Sequence, residues 1–152
     1  MSFRIFSVAI LWFLLGPIPV QSQQVHSLKT WEQSWKQQAK PALVFLHTDW
    51  CKICHANAEL FEGEEYQSLM DSVFYLVSFN PETARDVEFF GRKFQFLPQG
   101  QGVGTHEFVL ELLGEKGVPA FPCFVYLDEE MEVKWVFPGY LDAEQLRLLL
   151  EH

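Results

Sequence analysis

Pro41-Ala42-Leu43-Val44-Phe45-Leu46-His47-Thr48-Asp49-Trp50-Cys51-Lys52-Ile53-Cys54 joins an apolar run, a short polar link and a pair of cysteines. The unbroken apolar run from Ala42 to Leu46 follows a proline, and Ala42 to His47 is predicted to be a buried strand. The cysteines open a stretch in which Ala56, Leu60 and Phe61 continue at helical spacing. Two thiols three positions apart at a helix start form a reversible dithiol/disulfide couple. The unpaired backbone N–H groups and the helix dipole there favour a thiolate on the first of them.

Working outward, Leu28, Trp31 and Trp35 recur at spacings of three and four and predict an amphipathic helix over His26 to Lys40, ended by Pro41. Beyond the cysteines, the β-formers of Ser72 to Phe79 predict a second buried strand closed by Asn80-Pro81. Val87 to Phe96 reads as a small hairpin around Gly91, and the Gly-rich stretch Leu97 to Gly104 as a loop. Thr105 is the expected cap of a helix running to Leu113. Phe121 to Leu127 and Val133 to Phe137 read as the last two strands. Asp142 with Gln145 three later is a capping-box signature for a final helix, Ala143 to Glu151. This order predicts an α/β domain with a central mixed sheet flanked by helices, its first two strands parallel across a βαβ crossover.

Residues 1–22 carry one cation, Arg4, an apolar stretch from Ile5 to Leu15, a Gly16-Pro17 break, and slim residues at Val20 and Ser22. That pattern is a secretory signal peptide, too short in its apolar core for the ~20 residues of a spanning helix. The chain is thus expected to be exported, periplasmic or secreted, with a soluble mature domain over residues 23–152 and no membrane insertion. Removing Arg4 from the 11 basic residues leaves 10 against 20 acidic ones, a formal charge of −10. Nucleic acid and anionic membranes would be repelled by such a surface. Three cysteines, two of them only three apart, fit one active pair plus a spare thiol, Cys123, better than a disulfide framework.

The Pro41 to Cys54 stretch is followed by Gly117-Val118-Pro119-Ala120-Phe121-Pro122 leading into Cys123-Phe124-Val125-Tyr126-Leu127-Asp128, and by Gly139-Tyr140 before the last helix. In these residues the chain resembles the thioredoxin superfamily. More closely, it is similar to secreted thioredoxin-like proteins of Gram-negative bacteria with an insertion before the proline strand, here residues 85–114. Those share a T-D-W-C-x-x-C core and an F-x-P-x-G loop followed by a His-Glu helix start, matched by Phe96 to Gly100 and by His106-Glu107.

By that resemblance Cys51 is the exposed attacking thiol and Cys54 the buried resolving one. The chemistry agrees, because a mixed disulfide formed by one thiol is released by a second within reach. Lys52 places a further positive charge beside Cys51. The resemblance also implies a cis bond at Pro122 and substrate contacts at Trp50, Phe121 and Pro122. In one respect the chain departs from the family: the acidic residue that many thioredoxins carry six positions before the first cysteine is Phe45 here, which leaves proton transfer to water, Asp49 or His47.

The expected activity is thiol–disulfide exchange with protein disulfides or dithiols and a redox partner protein, with no cofactor and no metal. Alternative readings are a redox-inert thioredoxin-like binding module, a structural disulfide, and c-type haem attachment through Cys51-x-x-Cys54-His55. Zinc on Cys51, Cys54, His55 and His47 lacks a second spaced ligand pair. Cys123 is expected to be a buried small hydrophobe, and His55 a solvated helix residue. Phe89, Phe90, Phe94 and Phe96 are expected to pack within the insertion.

Overall fold

Ala42–Leu46 is buried at every position and forms β1, an inner strand of the main sheet. A strand covered on both faces has no polar side to show, which is why its sequence is continuous rather than alternating. The structure, a computed structural model, describes residues 25–100, 103–114, 117–118 and 120–151; the expected signal peptide lies outside them.

β1 pairs in parallel with β2 (Tyr75–Phe79). On its other side it pairs antiparallel with β7 (Cys123–Leu127), which in turn pairs antiparallel with β8 (Val133–Pro138). The resulting order, β2-β1-β7-β8, is the expected mixed sheet with its first two strands parallel. Successive side chains of β1 go to opposite faces. Ala42, Val44 and Leu46 meet Leu28 and Trp31 of α1 (Leu28–Gln37) and Phe108 and Val109 of α4 (Glu107–Leu113). Leu43 and Phe45 meet the cysteines at the start of α2 (Lys52–Leu60), Tyr66 and Met70 of α3 (Glu64–Val73), and Leu146 of α5 (Ala143–Leu150). Each fully buried aliphatic or aromatic side chain contributes about 1.5–3 kcal/mol, so these two apolar layers hold the domain together.

Both expected ends of this framework are capped. Ser27 and Thr30 form a capping box at α1, and Asp142 and Gln145 form the anticipated one at α5.

Between β2 and β7 the chain makes two small antiparallel ribbons before α4. The first is the expected hairpin, β3 (Val87–Phe89) with β4 (Arg92–Phe94), turned by Phe90 and Gly91. Both turn residues have positive φ, 49° and 74°, as a two-residue turn matching strand twist requires. The second is β5 (Phe96–Gly100) with β6 (Val103–His106).

Four expectations need correction. Leu97 to Gly104 is a ribbon rather than a loop: Pro98 sits opposite Gly104, and a Cβ on Gly104 would lie 2.4 Å from the Phe96 ring and 2.5 Å from the Leu97 carbonyl oxygen. The glycine permits close strand approach, and the proline is tolerated in a ribbon with free edges. The second strand begins at Tyr75, because residues 64–73 belong to α3, whose buried Tyr66 and Met70 have i, i+4 spacing. The cap of α4 is His106, one residue after Thr105. The third strand starts at Cys123, since the Phe121–Pro122 corner precedes the ladder.

Candidate active site

Cys51 is the N-cap of α2, with extended backbone, and its Sγ accepts a hydrogen bond from the Cys54 backbone N–H at 3.1 Å. The two cysteines are joined in a disulfide. Cys51, expected as the exposed thiol, is instead largely covered at 5% exposure, nearly as much as Cys54 at 2%, while their neighbours Trp50 and Ile53 stand out at 66% and 54%. One orphan N–H of the helix start is therefore already aimed at the first sulfur. When the pair is reduced, that donor and the helix dipole favour a Cys51 thiolate.

The sheet brings the proline corner to the same place. Leu46, the last residue of β1, lies opposite Cys123, the first of β7, so the loop into α2 and the Phe121–Pro122 corner leave the sheet at one end. The Phe121–Pro122 bond is cis, and the Pro122 carbonyl accepts from Gly139 N–H at 2.7 Å. Trp50 meets Phe121 edge to face with ring centroids 6.0 Å apart. Cys51, Cys54, Trp50, Phe121 and Pro122 thus gather at one end of the sheet.

Two side-chain hydrogen bonds lace this loop to the one that follows β2. Asn80 Nδ2 donates to Asp49 Oδ1 at 3.2 Å, and the Trp50 indole Nε1 donates to Glu82 Oε2 at 2.9 Å. Asn80 and Glu82 have no sequence signal of this role: they lie about thirty positions away and read only as turn residues. His55 is exposed, as expected, and its Nε2 donates to the Asp49 carbonyl at 3.0 Å.

Phe45, where many thioredoxins have an acid, is 3% exposed and lies among His47, Phe61 and Phe124. His47 stacks on it with centroids 5.0 Å apart and shares a hydrogen bond of 2.8 Å with Ser78 Oγ. Burial holds the His47 pKa below its ordinary value; nearby Asp49 opposes that shift and His55 reinforces it. The imidazole is therefore neutral near pH 7 and able to accept a proton.

Cys123 is fully buried and unpaired, and burial pushes its thiol up to about 11, so it behaves as the small hydrophobe its position suggested. Asn57, also fully buried, holds the approach to α5. Its Nδ2 donates to the Leu141 carbonyl at 2.7 Å and its Oδ1 accepts from Leu141 N–H at 3.3 Å. The Tyr66 hydroxyl donates to the same carbonyl. Among the described residues no three His, Cys, Asp or Glu side chains converge as a metal site, and no helix is long and apolar enough to cross a membrane.

A mixed sheet with a helix-capping disulfide and a cis-proline corner at one end defines a class of α/β dithiol domains. The chain belongs to the thioredoxin-like family, whose domain model matches residues 29–152. An uncharacterized protein of Haemophilus influenzae is 28% identical over 122 residues, 75% of this chain and 74% of that one. Among solved structures, a thioredoxin from Thermus thermophilus superposes with a TM-score of 0.56 at 17% identity, covering 86% of this chain and 84% of its own. The oxidoreductase DsbH superposes with a TM-score of 0.55 at 19% identity, covering 91% and 89%. At such identities these two likenesses establish the shared fold.

Proposed function

We propose that the protein is an exported thiol–disulfide oxidoreductase that exchanges disulfides with protein substrates through Cys51 and Cys54. The observation that carries this reading is the Cys54 N–H directed at Cys51 Sγ across a disulfide at the mouth of α2. In the reduced protein the Cys51 thiolate attacks one sulfur of a substrate disulfide. A Cys51–substrate bond forms, the substrate S–S bond breaks, and the departing thiolate takes a proton. Cys54 then loses its proton, attacks Cys51 Sγ, closes the protein disulfide and releases the second substrate thiol. Two electrons pass from protein to substrate, and the reverse sequence oxidises a dithiol.

Trp50, Phe121 and Pro122 are assigned to substrate contact, with the backbone before the proline offered to an extended chain. Because Phe45 supplies no carboxylate, the Cys54 proton passes to water; a release rate independent of pH would hand that role to His47 or Asp49. The pattern of residues 1–22 supports export with a mature start near Gln23, and residues 85–114 are read as an insertion into the family fold. The haem alternative is checked by an absorption spectrum after expression with haem-maturation machinery: a colourless protein is expected, and a covalent Soret band surviving denaturation would overturn the oxidoreductase reading.

The deciding experiment is a trap. Cys54→Ala should accumulate mixed disulfides with a protein substrate, Cys51→Ala none, and the wild type should turn over. Release in the wild type should quicken with rising pH as Cys54 deprotonates. Wild-type activity in both variants, or no engagement of a protein disulfide by the wild type or the trap, would leave the binding-module reading in its place. N-terminal sequencing of exported material checks the processing, which Met1 retained in the mature protein would refute.

A further inference from the structure

A cleft of about 220 Å³ opens beside the dithiol, between the loop after β2, the β5–β6 ribbon, α4 and the proline corner. Pro81 and Glu82 line one side, Gln99 and Thr105 another, with Leu110 and Phe121 among the remaining walls. Its volume falls below the ~300–1,000 Å³ of pockets that enclose drug-sized molecules. A side chain with its adjoining backbone suits it better.

The cleft starts where the dithiol ends. Glu82 receives the Trp50 indole N–H, and Phe121 meets the Trp50 ring, so both walls converge on the residue immediately before Cys51. A chain linked through its cysteine to Cys51 passes Trp50 and enters the cleft within a few residues, at roughly 3.3 Å per extended residue. Among the described residues that line the cleft, Glu82 is the one ionised side chain and none is cationic. Asp49, held by Asn80 next to Pro81, places a second carboxylate on the loop that leads to Cys51. The occupant selected by this charge is cationic.

On the reading of the dithiol given above, we infer that this cleft is a specificity subsite for an extended polypeptide bearing a lysine or arginine close to its reactive cysteine, with Glu82 as the specificity-determining residue. Thr105 and Gln99 supply neutral polar contacts from the ribbon, and Leu110 and Phe121 cover the aliphatic stem of the basic side chain.

The test uses the Cys54→Ala background in its reduced form and two symmetrical peptide disulfides. They are identical except for lysine or glutamate at the positions two residues before and after the cysteine. Cys51 attacks one sulfur, one peptide remains attached and one leaves as its thiol, so the rate is read by intact mass. The lysine peptide should react about 2- to 5-fold faster than the glutamate peptide at low salt, and the ratio should shrink at high salt as the charges are screened. Glu82→Gln keeps an acceptor for the indole and removes only the charge; it should bring the ratio close to one. Glu129→Gln removes the same charge from the turn between β7 and β8 and should leave the ratio intact.

A ratio near one in the parent, an unchanged ratio in Glu82→Gln, or an equal fall in Glu129→Gln would overturn the subsite. Hydroxyethyl disulfide separates the two levels. If it reacts while the peptides show no charge preference, only the subsite is lost; if it and the peptides all fail to react, the oxidoreductase reading is lost and the subsite with it.

Discussion

The sheet and the segment between β2 and β7 lie side by side but are held in different ways. β1 and β7 run as a ladder of five paired positions sealed by apolar layers on both faces. The β3–β4 ribbon pairs only three positions and leans on α1 through Trp31 stacked on Phe89 at 4.7 Å and through Phe90 N–H donated to Glu32. Farther along, Gln95 and Glu107 exchange backbone and side-chain hydrogen bonds, and His106 ties α4 to Arg85. A dithiol needs a fixed frame, whereas a surface that chooses substrates tolerates adjustment. In the proposed function these two demands fall to different kinds of bonding.

The largest effect should follow from breaking the frame. Phe124→Ala empties a fully buried site in the layer beneath the dithiol, and a loss of about 3–5 kcal/mol in chemical denaturation is expected. Phe89→Ala in the partly buried ribbon should cost less than half as much. Equal losses would mean that the two regions form one cooperative core.

Asn57→Ala should come next. It strips two hydrogen bonds from the Leu141 backbone in a buried setting, leaving Tyr66 alone on the carbonyl, for about 2–3 kcal/mol. Gly104→Ala sharpens the contrast from the other side. The added methyl must displace the Phe96 ring or part the ribbon strands, for about 1–3 kcal/mol, and it should blunt the preference for basic peptides more than exchange with hydroxyethyl disulfide.

The smallest effect is a pH dependence centred on His106. Its Nε2 faces the Arg85 carbonyl at 3.2 Å and its Nδ1 faces the Phe108 N–H at 3.3 Å. A carbonyl can only accept and an N–H only donate, so the ring must be neutral with its proton on Nε2. Burial lowers its pKa, while the Arg85 carbonyl, Glu107 and Asp86 pull the other way. Above the unfolded value of about 6.5 its contribution is fully present. As pH falls below that value, the unfolded chain takes up a proton that the folded chain resists, and stability is lost. His26 and His47 are shifted in the same direction, so His106→Asn, which keeps a capping acceptor, should reduce the acid slope of stability without abolishing it. An unchanged slope would remove His106 from this role.

The same division decides what could be read from sequence. The apolar run of β1, the helix start at the cysteines and the Asp142 box follow from local periodicity and capping chemistry, and each appears where expected. The second ribbon escaped because glycine and proline ordinarily signal loops, and here they mark a close strand approach. The third helix escaped because it ends in Val73 next to Phe74, residues that favour strands when judged locally. Glu82, Asn80 and Asn57 act on partners far along the chain, and short-range pattern carries no trace of such pairs.

The pairing of Leu46 with Cys123 also governs where the protein tolerates changes in length. One residue inserted within β1 would move every later side chain of that strand to the opposite face, exchanging the surroundings of Phe45 with those of Leu46 and moving the dithiol loop off the rung it shares with the proline corner. Residues added in the turns between β2 and β7 leave that rung alone, since the ribbons there form sheets of their own and share no ladder with the main one. Closing a longer connection costs little, about 0.6 kcal/mol for each doubling. Insertions and deletions that keep the protein working should therefore fall between β2 and β7, while β1 and the first turn of α2 keep their count.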